Sequence, residues 1–123
     1  MEKKETILVV DDEKDIRHAF KKTLESAGYR VLTASSGKEC LAKLKKEKIN
    51  LILLDILMPK MTGVTTLKKI REEYPSLKVM IITVVGEEAT KERTVRLGIE
   101  GYLVKPIVKL DLVKAVTDVL SEV

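Results

Sequence analysis

The sequence predicts a single α/β domain of three layers, a parallel sheet with helices packed on both faces. Two observations carry this prediction. Five short runs rich in Ile, Leu and Val recur along the chain, and stretches with helical spacing of apolar residues lie between them. Strand–helix alternation of this kind builds right-handed crossovers, which put helices on both faces of a parallel sheet. At 123 residues the chain has the size of one domain, and its length excludes a closed eight-stranded barrel.

The strand runs are Thr6 to Val10, Tyr29 to Ala34, Asn50 to Leu54, Lys78 to Ile82 and Gly101 to Val104, each bounded by charged or turn-forming residues. The first, third and fourth are almost continuous in Ile, Leu and Val, the pattern of strands buried on both faces. The first helix carries Ile16, Ala19, Phe20, Thr23, Leu24 and Ala27 on one face and Lys21, Lys22 and Glu25 opposite, with Gly28 placed to stop it. The second starts near Ser36 and carries Cys40, Leu41 and Leu44. The third includes Val64, Leu67, Ile70 and Arg71 and ends near Tyr74-Pro75. The fourth, Glu87 to Leu97, is poor in apolar residues and is expected to be the least firmly packed, with Gly98 at its end. The last carries Leu112, Val113, Val116 and Leu120, after Pro106.

Composition narrows the function classes. Aromatic residues are only 3% of the chain, so the core must be built from aliphatic side chains. No apolar run approaches the ~20 residues of a membrane span, so no membrane insertion is expected. The charged segment Met1 to Glu5 does not resemble a signal peptide. Cys40 is the only cysteine, which rules out an internal disulfide and makes a cytoplasmic location the expectation. The net charge of +4 comes from lysines that alternate with Glu, as in Lys43 to Lys48. That reads as solvated helix faces, and direct nucleic-acid binding is not expected.

The residues that carry chemistry fall at strand ends. Asp11 and Asp12 follow the first run, Asp55 the third, Thr83 the fourth and Lys105 the fifth. In a parallel sheet these positions share one edge, the edge where open α/β sheets bind ligands. Three carboxylates in one pocket repel each other, and a hard divalent cation, Mg2+ or Mn2+, removes the conflict. Thr83 adds a hydrogen-bond donor and Lys105 a positive charge. A donor, an ammonium and a metal ion are what a transferring phosphoryl group requires, and an Asp carboxylate can form an acyl phosphate. Singly, each residue has a bland reading: a helix cap for the acids and Thr83, a solvated charge for Lys105. Their joint placement on one edge favours the chemical one.

Other residues read as structural. Gly63 is expected to permit a positive-φ turn before the third helix. Pro59 is expected to fix the loop after Asp55, and Met58 and Met61 to pack in it. Pro106 is a candidate for a cis peptide bond. His18, among Arg17, Lys21 and Lys22, reads as solvated surface.

The segments Ile7-Leu8-Val9-Val10-Asp11-Asp12, Leu53-Leu54-Asp55-Ile56-Leu57-Met58-Pro59, Met61-Thr62-Gly63, Ile81-Ile82-Thr83 and Gly101-Tyr102-Leu103-Val104-Lys105-Pro106 occur in this order and spacing. In them the chain resembles the receiver domain of two-component response regulators, the CheY-like superfamily, over essentially residues 1–123. The resemblance implies a flavodoxin-like (βα)5 fold with strand order 2-1-3-4-5. It implies that Asp55 takes phosphate from the phosphohistidine of a sensor histidine kinase or a histidine phosphotransfer protein. It implies Mg2+ held by Asp12, Asp55 and the main-chain carbonyl of Leu57, with Asp11 acting through water. Thr83 and Lys105 would grip the phosphoryl oxygens, and Tyr102 would be the switch aromatic. The fourth helix, fifth strand and fifth helix would form the output face towards a downstream protein that the sequence does not name, the chain being a monomer or a phosphorylation-dependent homodimer. Such a module assists its own phosphorylation and dephosphorylation but is not a turnover enzyme.

Two departures from the family pattern carry expectations. Val84 stands where a small residue is usual, and its methyls are expected to narrow the entrance to Asp55. Leu57 and Val85 are apolar at the positions that tune water access, so slow loss of phosphate is expected. An aspartyl-phosphate phosphatase needs a second Asp two residues after its nucleophile, and Asp11 is followed there by Glu13. A flavin domain of this fold would carry a Ser/Thr-rich loop after the first strand, which holds two acids instead. A degenerate receiver, binding proteins without phosphorylation, is disfavoured by the intact Asp11, Asp12, Asp55, Thr83 and Lys105. Because the chain reaches Val123 just after the last helix, no DNA-binding output domain is expected within it. A single-domain regulator and a fragment of a longer one both remain open.

Overall fold

The computed structural model describes residues 4–56, 63–84 and 88–121. Five strands, β1 (Thr6–Val10), β2 (Arg30–Ala34), β3 (Leu51–Asp55), β4 (Lys78–Thr83) and β5 (Gly101–Val104), alternate with five helices. These are α1 (Lys14–Ser26), α2 (Gly37–Lys46), α3 (Gly63–Glu73), α4 (Glu88–Leu97) and α5 (Lys109–Ser121). All strand pairs are parallel, in the order β2-β1-β3-β4-β5. This is the flavodoxin-like α/β fold that the sequence leads one to expect.

The core divides into two clusters because successive side chains of a strand point to opposite faces. On one face Leu8, Val10, Ile52, Leu54, Val79 and Ile81 meet Cys40 and Leu44 of α2 and Leu67 and Ile70 of α3. On the other, Ile7, Val9, Leu51, Leu53, Met80 and Ile82 meet Phe20 and Leu24 of α1 and Leu112 and Val116 of α5. Each fully buried aliphatic side chain contributes about 1.5–3 kcal/mol relative to exposure. Burial on both faces explains why the first, third and fourth runs read as unbroken apolar sequence.

Local chemistry starts and stops the helices. Ser36 caps α2 by accepting from the Glu39 N–H at 3.1 Å, while the Glu39 carboxylate accepts from the Ser35 hydroxyl at 2.8 Å. The hydrogen bond from Ser35 holds the Glu39 carboxyl below its usual range. Gly28 and Gly98, at φ +100° and +96°, provide the left-handed turns that end α1 and α4. Thr94 is the one buried residue of α4 among those whose side chains are described, and Val95 is exposed. The sparse packing expected of this helix is therefore present.

Arg71, at the end of α3, ties α3 to the loop before β5. Its Nε donates to the Gly98 carbonyl at 2.8 Å, Nη1 to the Leu77 carbonyl, and Nη2 to the Glu100 carboxylate at 3.2 Å. Glu100 in turn accepts from the Val79 N–H at 2.6 Å.

Gly63 corrects one expectation. Among the described glycines only Gly28 and Gly98 have positive φ. What Gly63 provides is closeness: a Cβ there would lie 2.4 Å from Ile56 Cα and 2.5 Å from the Asp55 carbonyl oxygen. The first residue of α3 presses on the end of β3, with the Gly63 N–H donating to the Ile56 carbonyl at 3.0 Å. The Lys105–Pro106 peptide bond is cis, as its sequence position suggested. Leu57, Met58, Pro59, Met61 and Val85 lie outside the described residues. Among the described residues no helix is long and apolar enough to cross a membrane.

Candidate functional site

The register of the sheet gathers the strand-end residues. Val10 pairs with Leu54, which sets Asp11 level with Asp55; Asp55 pairs with Ile82, and Thr83 with Val104, which Lys105 follows. The ladders run slightly further than the apolar runs: Asp55 and Thr83 are the last residues of β3 and β4. Ladder bonding continues past the acid, the Ile56 N–H donating to the Ile82 carbonyl at 3.1 Å. The nucleophile candidate therefore sits on rigid sheet and not on a loop.

One carboxylate oxygen from each of Asp11, Asp12 and Asp55 lies within 4.8 Å of the other two. Asp11 and Asp55 are 2% and 5% exposed, while Asp12 faces solvent. Lys105 bridges the two buried acids, its Nζ donating to Asp11 Oδ2 at 2.9 Å and lying 3.8 Å from Asp55 Oδ2. Burial by itself would lower the Lys105 pKa. The hydrogen bond to Asp11 and the charges of Asp55, Asp11 and Glu13 outweigh it and leave the ammonium above its ordinary value. Among the described residues three carboxylates still face one ammonium. An all-oxygen donor set with excess negative charge fits a hard divalent cation such as Mg2+ or Mn2+.

Thr83 supplies the second element. Its Oγ1 is buried and has no hydrogen-bond partner among the described residues. Burying a hydroxyl without a partner costs about 1–3 kcal/mol. An orphaned donor at the edge shared with Asp55 is suited to an incoming oxygen-rich group.

The other candidates are distributed as follows. Tyr102 is half-buried in β5 against the α2–α3 face, and Lys91 Nζ of α4 lies 5.0 Å from its ring centroid. Val84 is 44% exposed. It lines a groove of about 520 Å³ with Ile16, Ala19, Phe20, Pro106 and Ile107, and Glu13 and Lys105 complete its wall. Leu57 and its carbonyl fall outside the described residues. Sequence reasoning passed over Arg17, whose Nη1 donates to the main-chain carbonyl of Asp11 at 2.8 Å. The only signal was its place in the second turn of α1, since helical side chains lean back towards the N-terminus.

The family model described as response regulator receiver domain matches residues 7–117. The alkaline phosphatase synthesis transcriptional regulatory protein PhoP of Bacillus subtilis is 40% identical over 81% of this chain and 42% of its own length. The probable transcriptional regulator ycf27 of Pyropia yezoensis is 37% identical over 95% of this chain and 48% of its own. The chain thus spans less than half the length of these curated relatives. Among solved structures, chemotaxis protein CheY4 of Vibrio cholerae superposes with a TM-score of 0.90 at 34% identity, covering 95% of this chain and 99% of that one. A CheY-like receiver domain protein of Methanospirillum hungatei gives 0.92 at 32% identity, covering 96% and 94%. With the match spanning nearly the whole fold and the acids, hydroxyl and ammonium gathered at one edge, this chain belongs to the response regulator receiver domain family.

Proposed function

We propose that residues 1–123 form a receiver domain that works as a phosphorylation switch, with Asp55 as the phosphoacceptor. The observation that carries this reading is a buried Asp55 with, on the adjoining strand, a Thr83 hydroxyl that has no partner among the described residues, beside an ammonium shared between two acids. The family is one of signalling modules and not of turnover enzymes.

A carboxylate oxygen of Asp55 attacks the phosphorus of a phosphohistidine on a sensor histidine kinase or a histidine phosphotransfer protein. The P–O bond forms as the P–N bond breaks. The electron pair leaves with the imidazole nitrogen, which takes up a proton from solvent. Lys105, already within ion-pair reach of Asp55, turns towards a phosphoryl oxygen, and the Thr83 hydroxyl donates to another. Asp12, Asp55 and the Leu57 carbonyl would hold Mg2+ or Mn2+, with Asp11 acting through water. Bound there, the ion would supply positive charge to offset that of the phosphoryl group. As Thr83 is drawn to the phosphoryl group, Tyr102 turns inward and α4, β5 and α5 change shape towards the output partner. The thin packing of α4 suits an element that must shift. The chain acts in the cytoplasm, as a monomer or a phosphorylation-dependent homodimer, without contacting nucleic acid itself.

Intact mass after treatment with acetyl phosphate or phosphoramidate tests this reading. The parent chain gains one phosphoryl group when Mg2+ is present, and Asp55→Asn gains none. Failure of the parent to gain mass favours a degenerate receiver that binds proteins without phosphorylation.

A further inference from the structure

Asp11 is held at each of its polar groups. Its N–H donates to the Ala34 carbonyl at 3.1 Å, Oδ1 accepts from the Glu13 N–H at 2.9 Å, and Oδ2 accepts from Lys105. The remaining group, its main-chain carbonyl, accepts from Arg17 Nη1 at 2.8 Å. Arg17 is itself fixed in α1, its N–H donating to the Glu13 carbonyl at 3.1 Å. The guanidinium therefore reaches back across the first turn of the helix and closes the turn that carries Asp11 and Asp12.

We propose that Arg17 is a positioning residue for the divalent cation: by clamping the main chain at Asp11 it aims the Asp11 and Asp12 carboxylates and so sets metal affinity. This rests on the reading of Asp11, Asp12 and Asp55 as the cation site. Charge and positioning act here with opposite signs. As a nearby positive charge, Arg17 repels a cation, so its removal alone would strengthen metal binding. As a clamp, it keeps two ligands oriented before the metal arrives. Outer-shell partners of that kind are worth about 10- to 100-fold in metal affinity. The short hydrogen bond to the backbone of a nearly buried ligand puts Arg17 in the second class.

The test is Mn2+ affinity, read from the free-ion signal in electron paramagnetic resonance, with Mg2+ calorimetry alongside. It needs no phosphorylation. Arg17→Met keeps the alkyl stem and removes the donors, and Arg17→Ala removes both. Each is expected to bind Mn2+ about 10-fold more weakly than the parent. Arg17→Lys restores a single donor and most of the affinity. Lys21→Ala removes a positive charge one turn further along α1 and leaves affinity unchanged or raised. Equal or tighter binding by Arg17→Met overturns the proposal. A parent chain that takes up no Mn2+ sinks both the cation site and this role. A parent that binds Mn2+ no better than its Arg17 variants sinks the role of Arg17 alone.

Discussion

Replacing Gly63 by alanine separates two reasons for a glycine. Alanine is the better helix former by up to about 1 kcal/mol, so a Gly63 that mattered only as the first residue of α3 would be improved by the change. The added Cβ would instead lie 2.4 Å from Ile56 Cα and 2.5 Å from the Asp55 carbonyl oxygen. Non-bonded carbons sit ~3.5–4.0 Å apart, so α3 and the end of β3 must separate by roughly 1 Å. Both obstacles are main chain of the strand that carries Asp55, and neither can rotate away. Overpacking costs about 1–3 kcal/mol, and the rigid neighbours place Gly63→Ala near the upper end. At roughly 4 °C per kcal/mol for a domain of this size, Tm falls by about 12 °C. Thermal unfolding followed by far-ultraviolet circular dichroism reads the change. Gly63→Asn discriminates further, because Asn tolerates positive φ better than Ala. Close approach predicts no advantage for Asn at position 63. Gly28, at φ +100° with open space around its missing Cβ, is predicted to prefer Asn over Ala. A Gly63→Ala chain as stable as the parent would refute the reasoning.

Three further outcomes follow from the site and the core. Thr83→Val removes a buried hydroxyl that has no partner among the described residues, so the unphosphorylated chain should be as stable as the parent or more stable by about 1 kcal/mol. The same variant should lose stabilisation on phosphorylation, and urea unfolding of both forms checks the two halves. Lys105→Ala leaves Asp11 without its cation, and should destabilise the metal-free chain by about 3 kcal/mol at neutral pH, a deficit that added Mg2+ reduces. Since the folded Lys105 pKa is raised above its ordinary 10.5, the stability it contributes is complete below that pH and is lost as pH rises through the folded value. Cys40 is fully buried and its thiol is pushed up to about 12 by burial. It should resist thiol reagents until the chain unfolds. The unfolded chain gives up that proton first, near its ordinary value of 9.0, so stability should fall between pH 9 and 12, and Cys40→Ala should flatten that fall.

The sequence made the sheet legible because its strands are buried on both faces. Ile7 to Val10, Leu51 to Leu54 and Val79 to Ile82 have no polar face to disguise them. The convergence of the strand-end residues was legible for a related reason. In a parallel sheet the residue after the last apolar position lies at the carboxyl edge, so Asp11, Asp55, Thr83 and Lys105 could be gathered without coordinates. Contacts through space were not legible. Nothing in the order of residues says that Arg17 turns back onto Asp11, that Arg71 clasps Gly98 and Glu100, or that Lys105 rests mainly on Asp11. Gly63 was expected to permit a positive-φ turn, whereas closeness to Ile56 is the constraint. A glycine looks the same in sequence whether it is needed for φ or for space.

The most direct test of the account is to map the modified residue. After phosphorylation by acetyl phosphate with Mg2+, borohydride reduction converts an aspartyl phosphate to homoserine, and peptide sequencing by mass spectrometry locates it. Homoserine at position 55, and at neither Asp11 nor Asp12, is the predicted result. Conversion at Asp11 or Asp12, or none at position 55 in a chain that has gained a phosphoryl group, would contradict it.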